Sequence, residues 1–132
     1  MRTVFVDTFY WIARINPNDQ WHKKATEVSS SLTNTLLITS KPILVELLNY
    51  FSGYGPEMRH AAVVIIRHII DDSNIIVEDG NFKEGLGLFE SRLDKGYSMT
   101  DCLSMTITRR YEVAEVLTHD HHFAQEGFTI LL

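Results

Sequence analysis

Short apolar runs typical of strands alternate with helical patterns along the whole chain. Five runs rich in β-branched and aromatic residues predict strands, and they span 3–6, 36–39, 75–77, 116–118 and 128–131. Apolar residues at helical spacing predict helices that begin near 9, 20, 41, 56, 82, 99 and 121. Strands that alternate with helices indicate an α/β fold around a central parallel sheet. A length of 132 residues suits one domain, so we expect residues 1–132 to form a single unit.

Four acidic residues stand where such a fold exposes a carboxylate, at the end of a strand or on a following helix. They are Asp7, Glu46, Asp101 and Asp120. A carboxylate in apolar surroundings is costly unless it is hydrogen-bonded, paired or bound to a cation. The chain lacks the His and Cys spacing of a zinc site, and oxygen ligands suit Mg²⁺ or Mn²⁺. The pattern therefore predicts one shared site for Mg²⁺ or Mn²⁺.

Each of these acids also has a simpler interpretation. Asp7 and Asp120 could cap the helices that follow them, and Ser98-Met99-Thr100-Asp101 fits a capping box. Glu46 interrupts an apolar run and could face solvent on its helix. Helix capping thus remains an alternative role for three of the acids, and only their joint occurrence favours a metal site.

The histidines and the cysteine point less clearly to chemistry. His119, His121 and His122 are adjacent or nearly so, and neighbouring helical positions do not share one face, so we expect polar loop or surface residues beside the site. Cys102 follows a carboxylate, has no partner pattern for catalysis and is expected to be a buried thiol. A single cysteine excludes an internal disulfide and suits a reducing cytoplasm, which is the predicted location.

The motifs around the four acids resemble those of a known family. They are Val6-Asp7-Thr8, Val45-Glu46-Leu47-Leu48, Ser98-Met99-Thr100-Asp101-Cys102 and Thr118-His119-Asp120-His121-His122-Phe123. In order and rough spacing they resemble the PIN-domain ribonucleases, in particular the VapC-like toxins of type II toxin–antitoxin pairs. The resemblance covers essentially the whole chain, and the last motif is the most specific of the four.

The resemblance implies a fold, a reaction and partners. It implies a three-layer α/β/α sandwich and a metal-dependent endoribonuclease that hydrolyses RNA phosphodiester bonds with Mg²⁺ or Mn²⁺. The catalytic and metal-site residues would be Asp7, Glu46, Asp101 and Asp120, supported by Thr8, Ser98 and Thr118. Thr8 and Thr118 would orient carboxylates or contact phosphate, whereas Ser98 would cap the helix of Asp101. A small antitoxin protein and a homodimer are the implied protein partners.

Bulk properties are compatible with this interpretation. The net charge is −5, but the four acids account for most of it, and bound divalent cations would reverse the sign of their pocket. Basic residues are scattered and form no compact motif, so they do not indicate a target sequence. The chain begins without a signal-peptide pattern, and no apolar run reaches the ~18 residues that span a bilayer. We therefore expect no membrane association.

Other classes of protein fit the motifs less well. A haloacid-dehalogenase-type phosphotransferase would carry a second aspartate where this chain has Phe9. A receiver domain would need an early acidic pair and a late lysine, which the chain lacks. The alternatives that remain are a non-catalytic PIN-like module that binds RNA or protein, and a housekeeping RNA-processing nuclease. Metal-dependent cleavage would exclude the first of these.

Overall fold

A computed structural model describes residues 1–132 and has a five-stranded sheet at its centre. The strands are β1 Arg2–Val6, β2 Thr35–Ser40, β3 Ile75–Glu78, β4 Glu115–Leu117 and β5 Thr129–Ile130. All neighbouring pairs are parallel, and the strand order is β3-β2-β1-β4-β5. The central strand β1 is apolar on both faces, as parallel strands covered by helices usually are, and Val4, Phe5 and Val6 are fully buried.

Seven helices connect or follow the strands, as the sequence predicted. They are α1 Thr8–Ile15, α2 His22–Ser30, α3 Lys41–Phe51, α4 Pro56–Asp71, α5 Phe82–Ser91, α6 Met99–Arg110 and α7 His121–Gln125. Local sequence determines several of their starts. Proline occupies the first turn of α3 and α4, where its missing N–H costs nothing, and the Ser40 hydroxyl accepts a hydrogen bond from the N–H of Ile43.

The connections place helices on both faces of the sheet. Crossovers between parallel strands are right-handed, and the chain runs from β1 through β2 to the β3 edge before it returns to β4 and β5. This reversal puts α1 to α4 on one face and α5 to α7 on the other. Helix α1 contacts α2, α3 and α4, whereas α6 contacts α5 and α7. The predicted three-layer α/β/α sandwich is confirmed.

Helix α4 differs from its prediction in one respect. Its β-branched residues would suit a strand, but its length and its proline start predict a buried helix, and the helix is present. Only Ala62, Ile66 and Ile69 are buried, however, whereas Val64 and Ile70 are 38% and 60% exposed. An outer layer covers the sheet with one face only, so the other face of α4 lies on the surface. None of the helices combines the length and the apolar character needed to cross a membrane.

Candidate active site

The carboxyl ends of β1 and β4 form the floor of the site. The two strands are neighbours, with Val6 opposite Leu117, and the N–H of Asp7 donates to the carbonyl oxygen of Leu117 at 3.2 Å. The connections leave β1 towards one edge of the sheet and return to β4 on its other side. Crevices at such a reversal, outside the carboxyl ends of the strands, are where α/β proteins bind ligands.

Asp7 lies at the centre of this edge and does not cap its helix. It occupies the N-cap position of α1 but makes no side-chain capping bond; Thr118 Oγ1 instead donates to its Oδ2 at 2.8 Å. The residue is 3% exposed. Burial raises the pKa of Asp7 to about 7, against the opposing effect of hydrogen bonds from Thr118 and Thr8, and the nearby charges of Asp101 and Glu46 raise it further. A cation at this edge would relieve that cost.

Glu46 reaches the same edge from α3 and does not simply face solvent. Its side chain is partly buried, and Thr8 Oγ1 donates to Glu46 Oε1 at 2.5 Å. Because Thr8 follows Asp7 directly, this bond brings the carboxylate of Glu46 beside that of Asp7. The hydroxyl of Thr8 thus orients the carboxylate of Glu46.

Asp101 opens α6 and takes part in a complete capping box. Its Oδ2 accepts the N–H of Ser98 at 3.0 Å, and its own N–H donates to Ser98 Oγ at 3.0 Å. The side chain is 13% exposed. Burial and the neighbouring charge of Asp120 raise the pKa of Asp101, while the hydrogen bonds with Ser98 lower it. The capping interpretation is therefore correct here, yet it leaves Oδ1 without a hydrogen bond from the protein.

Asp120 also caps a helix while it points into the site. Its Oδ1 accepts the N–H of His122 at 3.0 Å, and its own N–H donates to Thr118 Oγ1 at 3.0 Å. The Thr118 hydroxyl consequently contacts both Asp120 and Asp7. Capping explains the local conformation at Asp101 and Asp120, but it does not explain why the two carboxylates lie close to each other and why the charge of Asp101 reaches Asp7.

His122 is the residue of this site that sequence reasoning missed. Its Nδ1 lies 3.3 Å from Asp101 Oδ2 and 3.3 Å from Asp120 Oδ1. One donor atom from each of the three residues lies within 4.8 Å of the others, which is close enough to hold one metal ion. The sequence does contain a signal for this contact. His122 lies two residues after the helix-capping Asp120, and this spacing places the His122 ring next to the Asp120 carboxylate.

The other two histidines lie outside this cluster. His121 is exposed. The ring of His119 stacks on Trp21, with centroids 4.5 Å apart and planes inclined by 13°, and its other neighbour is Phe9 at 4.2 Å. Burial lowers the pKa of His119. These ring contacts connect the loop before Asp120 to Phe9 on α1 and to Trp21, which directly precedes α2. Cys102 is buried, as predicted.

The predicted site residues thus lie in two hydrogen-bonded groups at one edge of the sheet. Hydrogen bonds link Glu46 to Thr8, Asp7 to Thr118, Thr118 to Asp120 and Asp101 to Ser98. The donor set is rich in carboxylate oxygens, several of them buried and close to one another, and such a set fits a divalent cation. An arrangement of this kind can bind a phosphate group through the cation and activate water.

The fold is similar to that of several solved structures. VapC20 of Mycobacterium tuberculosis, a toxin that cleaves the sarcin–ricin loop, is 25% identical, with a TM-score of 0.83 and 96% of each chain covered. VapBC2 of Rickettsia felis is 15% identical, with a TM-score of 0.65 over 97% of this chain and 96% of that one. FitAcB of Neisseria gonorrhoeae is 13% identical, with a TM-score of 0.65 over 98% and 96%.

These likenesses confirm the predicted resemblance to VapC-like PIN-domain toxins. The two more distant structures support the fold, and VapC20 supports the likeness to a ribonuclease toxin over nearly the full length of both chains. No protein-family model matches the chain, and no curated protein matches it.

Proposed function

We propose that this chain is a metal-dependent endoribonuclease, the toxin of a toxin–antitoxin pair, in which residues 1–132 act as one nuclease domain. The observation that carries the proposal is the placement of carboxylates at one edge of the sheet, where Asp101 and Asp120 lie close enough to hold one ion with His122. The charges of Asp101 and Glu46 also reach the buried carboxylate of Asp7. The likeness to VapC20, which cleaves RNA, supports RNA as the substrate.

In this proposal Asp7, Glu46, Asp101 and Asp120 hold Mg²⁺ or Mn²⁺. A bound cation would supply a water of lowered pKa and neutralise charge that develops on the phosphate. The protein positions the carboxylates that would hold the ion. Thr118 and Thr8 hold the carboxylates of Asp7 and Glu46 by hydrogen bonds of 2.8 and 2.5 Å.

The rest of the reaction consists of cleavage of the P–O ester bond and transfer of a proton from the attacking water. A water oxygen forms a bond to phosphorus, the ester P–O bond breaks, and the leaving oxygen takes up a proton. Since Mg²⁺ usually keeps several waters, a carboxylate without a direct bond to the ion is free to accept the proton of the attacking water. Ser98 serves this chemistry indirectly, because its capping bonds fix the start of α6 and with it Asp101.

Cleavage assays test this proposal directly. Purified protein is incubated with a mixed RNA pool in Mg²⁺, in Mn²⁺ and in EDTA, beside an Asp101→Asn variant. We expect cleavage that requires the cation and is lost in the variant. Asp94→Asn is the matched control, because Asp94 is an exposed acid with 79% side-chain exposure. Cleavage by Asp101→Asn at the rate of the unmodified protein would overturn the site assignment, and absence of any cleavage would favour a non-catalytic module.

An antitoxin and a second copy of the chain are the proposed protein partners. The supporting observation is an exposed apolar surface on α3 and α4, together with a groove of about 350 Å³ between these helices. The exposed residues are Val45, Leu48 and Tyr50 of α3, Val64 of α4, and Tyr54 in the turn between the helices. Growth arrest on expression in the cytoplasm, relieved by the product of a neighbouring short gene, would separate a toxin from a housekeeping nuclease. Light scattering would give the oligomeric state.

A further inference from the structure

The Nδ1 atom of His122 is buried and has no hydrogen-bond partner. It lies 3.3 Å from Asp101 Oδ2 and 3.3 Å from Asp120 Oδ1, but the geometry makes a hydrogen bond to neither. The side chain as a whole is one-third exposed, so part of the ring is accessible to solvent whereas Nδ1 is buried. A buried polar atom without a partner is costly, and a nitrogen aimed between two carboxylates indicates that a cation belongs there.

The ring of His122 is held in this orientation by its surroundings. Its own backbone N–H donates to Asp120 Oδ1 at 3.0 Å. The ring packs on Tyr97, with centroids 5.2 Å apart, and the Tyr97 hydroxyl donates to Glu126 Oε1 at 3.1 Å. Helix α7 begins with the two histidines and ends just before Glu126, so both ends of this short helix are anchored.

Glu126 in turn pairs with two arginines, one directly after α5 and the other on α6. Arg92 and Arg109 each contact a carboxylate oxygen of Glu126 at 2.6 Å, and the Glu126 side chain is only 6% exposed. Arg109 belongs to α6, which carries Asp101 at its other end. The ion pairs therefore fix α7 relative to α6, and with it the spacing between His122 and Asp101.

We infer that His122 is a nitrogen ligand of the metal ion, beside Asp101 and Asp120, and that it makes the site favour Mn²⁺ over Mg²⁺. The inference rests on the proposed metal-dependent function and adds a ligand that the four-carboxylate prediction did not contain. Two ligands at right angles, each about 2.1 Å from an ion, lie about 3 Å apart. The separations of 3.3 Å from Nδ1 to the two carboxylate oxygens are close to that value.

The chemical consequence follows from ligand type. Mg²⁺ is a hard ion that binds oxygen and keeps its waters, whereas first-row transition ions accept imidazole nitrogen more readily. A set of carboxylates alone would distinguish Mg²⁺ from Mn²⁺ weakly. With one imidazole in the set, removal of the ring should weaken Mn²⁺ binding far more than Mg²⁺ binding.

Pulsed electron paramagnetic resonance of the Mn²⁺-loaded protein tests the inference without any assay of activity. We expect a ¹⁴N coupling from a directly bound imidazole in the unmodified protein, and its loss in His122→Asn. Titrations of the metal-free protein should show Mn²⁺ affinity falling by about tenfold or more in His122→Asn, as loss of a ligand or its support does. The Mg²⁺ affinity should change by less than about threefold.

The matched control is His121→Asn, because His121 is exposed and immediately precedes His122 on α7. It should keep both the ¹⁴N coupling and the Mn²⁺ affinity. Bound Mn²⁺ without a nitrogen coupling, in a protein whose RNA cleavage still requires metal, would overturn the inference and leave the proposed nuclease intact. Absence of Mn²⁺ binding to the unmodified protein would overturn both the nitrogen ligand and the metal site.

Discussion

Thr118 Oγ1 donates a 2.8 Å hydrogen bond to Asp7 Oδ2, joining residues 111 positions apart at the ends of two neighbouring strands. The same hydroxyl oxygen accepts the N–H of Asp120 at 3.0 Å. Thr118 is fully buried. The Thr118 hydroxyl therefore orients the carboxylate of Asp7 and positions the backbone of Asp120. Thr118 thus connects the site residues that follow β1 with those that follow β4.

Thr118→Val removes this hydroxyl while it keeps the shape of the side chain. We expect a loss of about 1–3 kcal/mol in the free energy of unfolding, since Asp7 loses a donor and a buried N–H loses its acceptor. We also expect metal affinity to fall by about tenfold or more, because the substitution removes an outer contact of a metal-site carboxylate. Chemical denaturation and metal titration measure the two effects.

Two further variants distinguish an effect on metal affinity from a general effect on the stability of the fold. Thr118→Ser retains the hydroxyl and should retain metal affinity. Thr108→Val is the matched control, because Thr108 is also fully buried but its hydroxyl donates to Ser104 O within α6. It should lose stability without loss of metal affinity. Equal metal affinity in Thr118→Val and the unmodified protein would contradict the role given to this hydroxyl.

Asp7→Asn should stabilise the metal-free protein at neutral and higher pH. Burial raises the pKa of Asp7 to about 7 from an ordinary value of 3.8. Between these values the folded state binds more protons than the unfolded state, so stability falls as the pH rises from about 4 to about 7. Asparagine does not ionise, so the variant escapes this loss, which is at most about 4 kcal/mol.

Denaturation of both metal-free proteins across pH 4–8 measures the difference. It should be greatest above pH 7 and vanish near pH 4. Added Mn²⁺ should stabilise the unmodified protein more than the variant, which has lost a carboxylate of the site. A difference that does not depend on pH would contradict the raised pKa of Asp7.

Glu126→Gln should destabilise the fold at neutral pH by about 2–3 kcal/mol, because it leaves two arginines without their buried partner. Burial raises the pKa of Glu126, but hydrogen bonds from Arg92, Arg109 and Tyr97 outweigh it and lower the pKa to about 2. A lowered pKa means stability that is present above about pH 4.5 and is lost as the pH falls towards 2. The difference between variant and unmodified protein should shrink over that interval.

Glu115→Gln provides the comparison for Glu126→Gln. Glu115 pairs with Arg2 at 2.9 Å, but the two side chains are 32% and 38% exposed. Exposed pairs contribute little, so we expect a loss of less than about 1 kcal/mol. Equal losses in the two glutamine variants, measured by urea denaturation, would show that burial of Glu126 adds nothing.

Two glycines of α5 should respond in opposite directions to alanine. A Cβ on Gly85 would lie 2.7 Å from Leu103 Cδ2 and 3.1 Å from Leu103 Cγ, whereas one on Gly87 would meet no atom within 4 Å. Gly87→Ala should stabilise the protein by about 0.5–1 kcal/mol through helix propensity. Gly85→Ala should destabilise it by about 1–2 kcal/mol, because the packed side chain of Leu103 would have to shift. Thermal unfolding distinguishes the two.

Much of the fold could be predicted from local sequence. Helices α6 and α7 begin where they were predicted, because Ser98 and Asp120 cap them through hydrogen bonds that span two or three residues. The strands differ from their predicted bounds by at most one residue at each end. Helix α4 was predicted as a helix but with too much burial, since periodicity does not reveal which elements cover a face.

The sequence by itself determined the alternation of strands and helices, the caps and the residue types available for a metal site. Each of these depends on contacts between residues close in the chain. Only the tertiary structure decided that Asp7, Glu46, Asp101 and Asp120 lie at the same edge of the sheet, because this depends on the strand order β3-β2-β1-β4-β5. It also decided the place of His122 between two carboxylates, since that requires α6 and α7 to pack against each other.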